Sequence, residues 1–490
     1  MAKRTRTVKK PAAATRTETD SMGSMTVPAD VLYGATTQRA VLNFPVSGRT
    51  LPPAVIAAYL ELKRACAMAN ATLGTLPKPK AKATVEACER LLEDFADRRG
   101  DLMRNFPIDV FQTGSGTSTN MNVNEVIANT ASRMHGRPVG SKDPLHPNDD
   151  VNCGQSSNDT FPTAMQVAGA VAIDRDLVPA LKRLHRALDA KARKWDRHVK
   201  IGRTHLMDAT PVRVGQVFSG YAAAVAYAVA RAELARDVLA TNLPIGGTAV
   251  GTGINAHPRF GRTVAGILTK EMKVRFQEAE NHFEAQATRD CCVEASGLLK
   301  AIAVSLSKVA NDVRWLGSGP RCGLGELNLP ATQPGSSIMP GKVNPVICES
   351  VMMVACRVIG NDASITLGGV GGVGSLLELN VAMPLIADQL CESIALLANA
   401  CEMFREKCIE GLELRPEATQ TVERSLMMVT SLAPVIGYDN AAKAAKEALA
   451  SGETIRAYVL RKGLVEPKAL DRLLDPASMT RPGGKGPGGG

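Results

Sequence analysis

A mainly α fold built around a long helical bundle is what this sequence predicts, on three observations. Apolar residues recur at steps of four and three along three separate stretches, which gives each a continuous apolar stripe. A fourth stretch, 219–239, is rich in alanine, and aromatic residues are only 4% of the chain, a composition suited to Ala/Leu/Val helix packing rather than to a β-sandwich. With 490 residues, roughly two to four structural units can each bury a core.

The segments 52–73 and 81–97 carry a helical pattern, and 106–124 then becomes dense in Gly, Ser, Thr and Asn, which predicts a loop. A similar polar stretch, 141–158, precedes the first seam, Leu177, Leu181, Leu184 and Leu188. The second seam is Ala295, Leu299, Ile302, Leu306, Val309, Val313 and Leu316, close to a heptad. The third runs through Ile386, Leu390, Ile394, Leu397, Cys401 and Phe404. Three such helices with 219–239 as a fourth argue for a long bundle. Between the second and third seams, Gly369, Gly371 and Gly374 satisfy a dinucleotide-binding pattern, but they join two helical segments instead of following a strand, so a helix-to-helix connection is expected. After Arg415-Pro416 the chain changes to short helices at 419–428, 440–450 and 454–462. The expected organisation is a disordered basic tail at 1–19, an N-terminal mainly helical domain at 20–150, a central bundle at 151–412, a small C-terminal helical domain at 413–476 and a disordered Gly/Pro tail at 477–490.

The net charge of +10 does not describe a nucleic-acid-binding face. Residues 1–17 hold six Lys or Arg and no acid, and Arg481 and Lys485 add two more, so the two ends carry eight of the ten charges. The N-terminal end lacks an apolar core of the secretory kind, and no stretch is long and apolar enough for a membrane span. A cytoplasmic protein, with no nucleic acid and no membrane as partner, is expected. The eleven Cys include no Cys-x-x-Cys pair and the seven His are scattered, so reduced, mostly buried thiols and no metal site are expected.

Polar residues without helical periodicity cluster at 114–124, 146–158, 202–210 and 335–344, and all four clusters supply hydroxyls, amides or a His, the donors that hold a small dianionic acid. In the last, Gly335 and Gly341 are expected to adopt backbone angles closed to other residues, with Pro334, Pro340 and Pro345 restricting the flanks. Such a loop can aim Ser336, Ser337, Lys342 and Asn344 at one point. A proton beside a carboxylate is very weakly acidic, and its removal requires the resulting dianion to meet preorganised donors, each typically worth ~2.7–4 kcal/mol of barrier.

The run Gly335-Ser-Ser-Ile-Met-Pro-Gly-Lys-Val-Asn-Pro345 resembles the defining loop of the fumarase/aspartase superfamily, and the chain as a whole resembles its class II fumarases. The resemblance continues through Tyr33-Gly-Ala-Thr-Thr-Gln-Arg39, Gly114-Ser-Gly-Thr117, Asn120-Met-Asn-Val-Asn-Glu125, His146-Pro-Asn-Asp-Asp-Val-Asn152 and Gln155-Ser-Ser-Asn-Asp159. It extends through Gly202-Arg-Thr-His205, the 246–253 glycine run, Ser318-Gly-Pro-Arg-Cys322 and Ile436-Gly-Tyr-Asp439, covering about 18–476. It implies a three-domain fold whose central five-helix bundle tetramerises into a twenty-helix core. The activity implied is reversible, stereospecific hydration of fumarate to (S)-malate in the tricarboxylic acid cycle, with no cofactor. Ser336 would take the proton from carbon. His205, with Glu349 as its charged partner, would handle the oxygen through a bridging water. Ser115, Thr117, Ser156, Ser157, Asn158, Thr204, Lys342 and Asn344 would hold the substrate carboxylates, and His146, Asn148 and Asp149 correspond to a second anion site. Each active site of the homotetramer would draw Thr117 with Asn158, His205, and Ser336 from three different subunits.

Three departures from that pattern stand out. Asp143 occupies a position where many fumarases carry Arg, which weakens anion binding at the second site; Met207 and Val217 replace Gln and Glu; and Cys153-Gly154 precede Gln155. The nearest rival, an aspartate ammonia-lyase, usually carries Gln in place of His205 and Ala in place of Gly341. A non-catalytic scaffold would have no use for Ser336, His205, Glu349, Lys342 and Asn344 together.

Overall fold

The computed structural model describes residues 14–96 and 102–482. Strands Thr15–Asp20 (β1) and Gly23–Pro28 (β2) pair antiparallel and lead into helices Ala35–Asn43 (α1), Pro53–Leu73 (α2) and Lys78–Ala96 (α3). Helices Thr117–Met134 (α4), Ser157–Ala172 (α5) and Val178–Lys194 (α6) follow, then the hairpin Val199–Thr204 (β3) and Met207–Arg213 (β4). The long helix Val214–Ala240 (α7), Phe260–Met272 (α8), the short His282–Ala287 (α9) and the long Asp290–Leu316 (α10) come next. After Leu327–Asn328 (β5) the chain forms Val346–Gly369 (α11), the small hairpin Ser375–Leu376 (β6) and Leu379–Asn380 (β7), and Met383–Phe404 (α12). Glu413–Leu414 (β8) pairs with β5, and Glu417–Gln420 (α13), Ala433–Ile436 (α14), Tyr438–Ser451 (α15), Ile455–Lys462 (α16) and Pro467–Leu473 (α17) complete the described chain.

The described residues divide into two compact units, one of 14–96, 102–178, 231–300 and 357–396, the other of 179–230, 301–356 and 397–482. In the first, α2 packs against α3, α5 and α8, and Tyr59 meets Phe161 edge-on at 6.0 Å. In the second, Trp195 and Phe218 meet edge-on at 4.8 Å. The C-terminal helices of that unit enclose their own cluster, including Leu432, Ala444, Ala448, Ile455, Val459 and Leu470.

The seams hold where periodicity sets them. Leu177, Leu181, Leu184 and Leu188 are buried, as are Ala295 through Val313 of the second seam and all six residues of the third, while Leu316 is partly buried. The glycine pattern at 369–374 is a helix-to-helix connection between α11 and α12.

Other expectations are corrected. Residues 15–19, expected in the disordered tail, form β1 because the Arg16 guanidinium is captured: it donates to the carbonyls of Pro28 (2.6 Å), Val31 (2.7 Å) and Tyr33 (2.6 Å). Residues 1–13 lie outside the described residues. The expected loop 106–124 ends early, since α4 starts at Thr117. Its asparagines are buried helix residues satisfied by distant partners, Asn122 Nδ2 donating to Asn105 O at 2.8 Å and Asn120 Nδ2 to Asn152 Oδ1 at 3.1 Å. The helix expected over 419–428 is broken into α13 and two 3₁₀ turns, with Ser425 capping the second, and α17 was not foreseen. In the expected Gly/Pro tail, Thr480 is buried and accepts from Arg213 Nη1 at 3.0 Å, so the chain is anchored there, and residues 483–490 lie outside the described ones.

Candidate active site

In the first unit, the candidates gather where two helices begin. Ser115 lies in the turn before α4, Thr117 opens that helix and Ser157 opens α5. Their hydroxyls form a chain, Ser115 Oγ to Thr117 Oγ1 at 2.8 Å and Thr117 Oγ1 to Ser157 Oγ at 2.7 Å. The partial positive charge at the two helix starts favours an anion there. Ser156 is the N-cap of α5, accepting the Asn158 N–H at 3.2 Å, while Asp159 Oδ1 accepts the Ser156 N–H at 2.9 Å, a reciprocal capping box. Asn158 Nδ2 donates to Ala249 O at 2.8 Å.

Asp159, fully buried, is the residue on which two motifs meet. Its Oδ2 accepts the N–H groups of Thr248 at 2.9 Å and Gly246 at 3.2 Å, fastening the glycine run to the start of α5. Burial pushes this carboxyl up to about 6, against the pull of the three N–H donors. Glu125 joins two other motifs in the same manner: it accepts the N–H groups of Gly34, Thr36 and Thr37 and the Thr37 hydroxyl, at 2.6–3.2 Å.

Of the residues expected to form a second anion site, Asn148 and Asp149 sit on a single π-type turn, Pro147–Val151, and His146 is its N-cap. His146 Nδ1 faces the N–H groups of Asn148 (3.3 Å) and Asp149 (3.2 Å), so that nitrogen is engaged as the turn's cap. Asp143 is paired with Arg137 at 3.1 Å, and Asp150 with Lys80 at 2.8 Å.

In the second unit, Thr204 and His205 stand at the tip of the β3–β4 hairpin. His205 and Leu206 form its two-residue turn with φ of 57° and 66°, left-handed angles that such turns demand but that Asn and Gly normally supply. A His held in that region is a strained residue of the kind that clusters at functional sites. Strand β3 is pinned by an ion cluster on the buried Glu326, which receives Arg203 at 2.6 Å and the buried Lys200 at 3.0 Å. A cavity of about 950 Å³ opens beside the turn, lined by Thr204, His205, Tyr221, Lys308, Asp312 and Trp315 among others.

The loop 335–345 is folded on itself. Gly335 N–H donates to Lys342 O at 2.8 Å and Asn344 Nδ2 to Gly335 O at 2.7 Å. Gly341 adopts φ 81°, as its position in the motif predicted, but Gly335 does not have a positive φ; it is required because a Cβ there would stand 2.6 Å from the Lys342 carbonyl oxygen. Ser336 Oγ receives two main-chain donors, the N–H of Met339 at 3.0 Å and of Ile338 at 3.2 Å. Lys342 is exposed and Asn344 half-buried, and Glu349 occupies the first turn of α11. Among the described residues, the side chains of His205 and Glu349 make no hydrogen bond or ion pair within the chain, so one chain alone does not join His205 to its expected partner. No group of three or more His, Cys, Asp or Glu among the described residues is placed to hold a metal ion, and no helix there is long and apolar enough to cross a membrane.

Sequence reasoning missed Lys63, Asp159 and Glu326. Asp159 lay inside a quoted motif and could have been found as the acidic third residue of a capping box. Glu326 had no local signal, since its partners lie more than 120 residues away.

Two family models match the chain, Lyase over residues 23–360 and Fumarase C C-terminus over 428–481. It is 49% identical to fumarate hydratase class II 2 of Bradyrhizobium diazoefficiens, over 99% of this chain and 100% of that one. It is 50% identical to the class II fumarate hydratase of Mycobacterium tuberculosis, over 95% and 96% respectively. The crystal structure of class II fumarase from Schistosoma mansoni superposes with a TM-score of 0.91 at 37% identity, covering 96% of this chain and 100% of that one. A fumarate lyase from Brucella melitensis superposes at 0.85 with 43% identity, covering 94% and 100%. Matched from end to end by sequence and by fold, this chain belongs to the class II fumarase family.

Proposed function

We propose that this protein is a fumarate hydratase that interconverts fumarate and (S)-malate in the tricarboxylic acid cycle, through an aci-carboxylate intermediate. The observation that carries the reading is the pair of N–H groups converging on Ser336 Oγ, an arrangement that stabilises negative charge on that oxygen and so makes a serine usable as a base.

In the dehydration direction, Ser336 Oγ takes the proton from the carbon next to one carboxylate. The electron pair moves into that carboxylate, whose extra charge falls on Lys342 and Asn344. It then forms the carbon–carbon double bond as hydroxide departs from the neighbouring carbon, and His205, with Glu349 as its charged partner, delivers a proton through a bridging water so that hydroxide leaves as water. Hydration is the reverse. General acid–base steps of this kind are typically worth ~10²–10⁴-fold. Ser115, Thr117, Ser156, Ser157, Asn158 and Thr204 orient the dicarboxylate, while His146, Asn148 and Asp149 form a second anion site that Asp143, standing where many fumarases carry Arg, weakens.

Because the candidates divide between units, and His205 and Glu349 have no side-chain partner among the described residues, the site is completed by association into a homotetramer with three chains contributing to each site. Exposed apolar side chains along three bundle helices support this: Tyr227 (66% exposed) and Leu234 on α7, Val304 on α10, Met353 (67%) and Leu367 on α11. A cytoplasmic setting suits the eleven free thiols, seven of them buried.

The test offers purified protein fumarate in water, then with ammonium, and follows loss of fumarate absorbance. Turnover in water alone is expected; turnover only with ammonium would identify an aspartate ammonia-lyase instead.

A further inference from the structure

Lys63 on α2 is fully buried, a position that a lysine holds only with partners. Its Nζ donates to Gln155 Oε1 at 2.9 Å and Asn152 Oδ1 at 3.0 Å. Both are neutral amides, and no carboxylate among the described residues lies at ion-pair distance. Asn152 Oδ1 also accepts from Asn120 Nδ2 at 3.1 Å and Asn124 Nδ2 at 3.2 Å, and Asn152 Nδ2 donates to Gln155 O at 3.0 Å. Gln155 Nε2 in turn donates to Val151 O at 3.1 Å and Cys153 O at 3.2 Å. The turn 151–155 is thus folded about one ammonium, and Ser156 is the next residue along.

On the other flank of 156–158 stands the buried carboxylate of Asp159, already tied to Ser156, Gly246 and Thr248. Ser156, Ser157 and Asn158 are therefore held between a buried cation and a buried anion. The groups facing Lys63 are Tyr59, whose ring centroid is 5.9 Å from Nζ, and Cys66 on α2, Cys88 on α3 and Asp159 on α5. Burial pushes both thiols up, so neither is ionised and Asp159 is the countercharge. Burial also pulls the ammonium down to about 8, which leaves it mostly charged at neutral pH.

From this geometry we infer that Lys63 is a positioning residue for the dicarboxylate half-site, fixing the turn that sets Ser156, Ser157 and Asn158 against Ser115 and Thr117, and adding positive charge behind them. The inference rests on the reading of that half-site as carboxylate-binding. It places Lys63 in substrate affinity and not in the proton transfers, which occur at Ser336 and His205.

Steady-state kinetics on the full-length enzyme with fumarate test it, using Lys63→Met, Gln155→Leu and, as reference, Asn158→Ala. Lys63→Met should raise KM about tenfold or more, as expected for loss of hydrogen bonds from a charged group, with kcat changed by less than about threefold. Gln155→Leu should move KM the same way by less. An unchanged KM in Lys63→Met, or a fall in kcat at constant KM such as a reduced active fraction produces, overturns the inference. Should Lys63→Met fail to fold, Gln155→Leu is judged by the same two criteria. Asn158→Ala separates the two levels: no rise in KM there refutes the half-site reading itself, whereas a rise there without one in the Lys63 and Gln155 variants refutes only the positioning role.

Discussion

Asp159 shows how one buried side chain links stability to the site. Its carboxyl is held at about 6 in the folded chain against an ordinary value of 3.8, because desolvation outweighs the three N–H bonds to it. Between these values the folded chain keeps a proton that the unfolded chain has released, so this group's contribution to stability is present below pH 4 and is lost as pH rises through 6. Asp159→Asn keeps a capping side chain and removes the titration. Urea unfolding at pH 4.5 and 6.5 should therefore show the wild type losing ground relative to the variant at the higher pH; a constant difference would mean that Asp159 does not titrate in that window. Residues of this kind were poorly legible. Ser336, Lys342 and Asn344 sit in one contiguous run whose composition announces chemistry, whereas Lys63 looks like any helix-surface lysine until Asn152 and Gln155, about ninety positions away in sequence, are brought against it.

Single elements were legible to the degree that their determinants were local. The heptad-like stripes of α10 and α12 gave the helices and their buried faces together, because periodicity alone decides both. The start of α4 was not legible, since Thr117 to Asn124 is polar and reads as loop until its buried partners are known. The strand β1 likewise depends on carbonyls 12 to 17 residues from Arg16. The loop 335–345 lies between these cases: its glycines and prolines mark it as special, but the reason for Gly335 is a contact across the loop and not a backbone angle. Gly335→Ala should push the Lys342 carbonyl away and misplace Ser336 and Asn344. Displacement of about 1 Å can lower turnover on the order of a hundredfold. Circular dichroism should remain unchanged while kcat falls; full activity would show that the loop tolerates the displacement.

At the scale of the whole molecule, the proposed site residues divide between the two units, Thr117 and Ser157 in one and His205 and Ser336 in the other. Thr117 and His205 are exposed and Ser115 and Ser336 partly buried, and α7, α10 and α11 expose large apolar side chains. The proposed homotetramer would bury this apolar surface and complete the proposed site in one step. The helical bundle itself was readable from periodicity, while the division of the site among chains was implied only by family resemblance, because nothing in a linear sequence reports which copy supplies which residue. That division is best tested by mixing two inactive variants, His205→Asn and Ser336→Ala, in equal amounts, unfolding and refolding them together, and measuring fumarate hydration. If His205 and Ser336 of each site come from different chains, random assembly makes about a quarter of the sites intact and restores activity to about that fraction of wild type. If each site is built by a single chain, the mixture stays as inactive as its components.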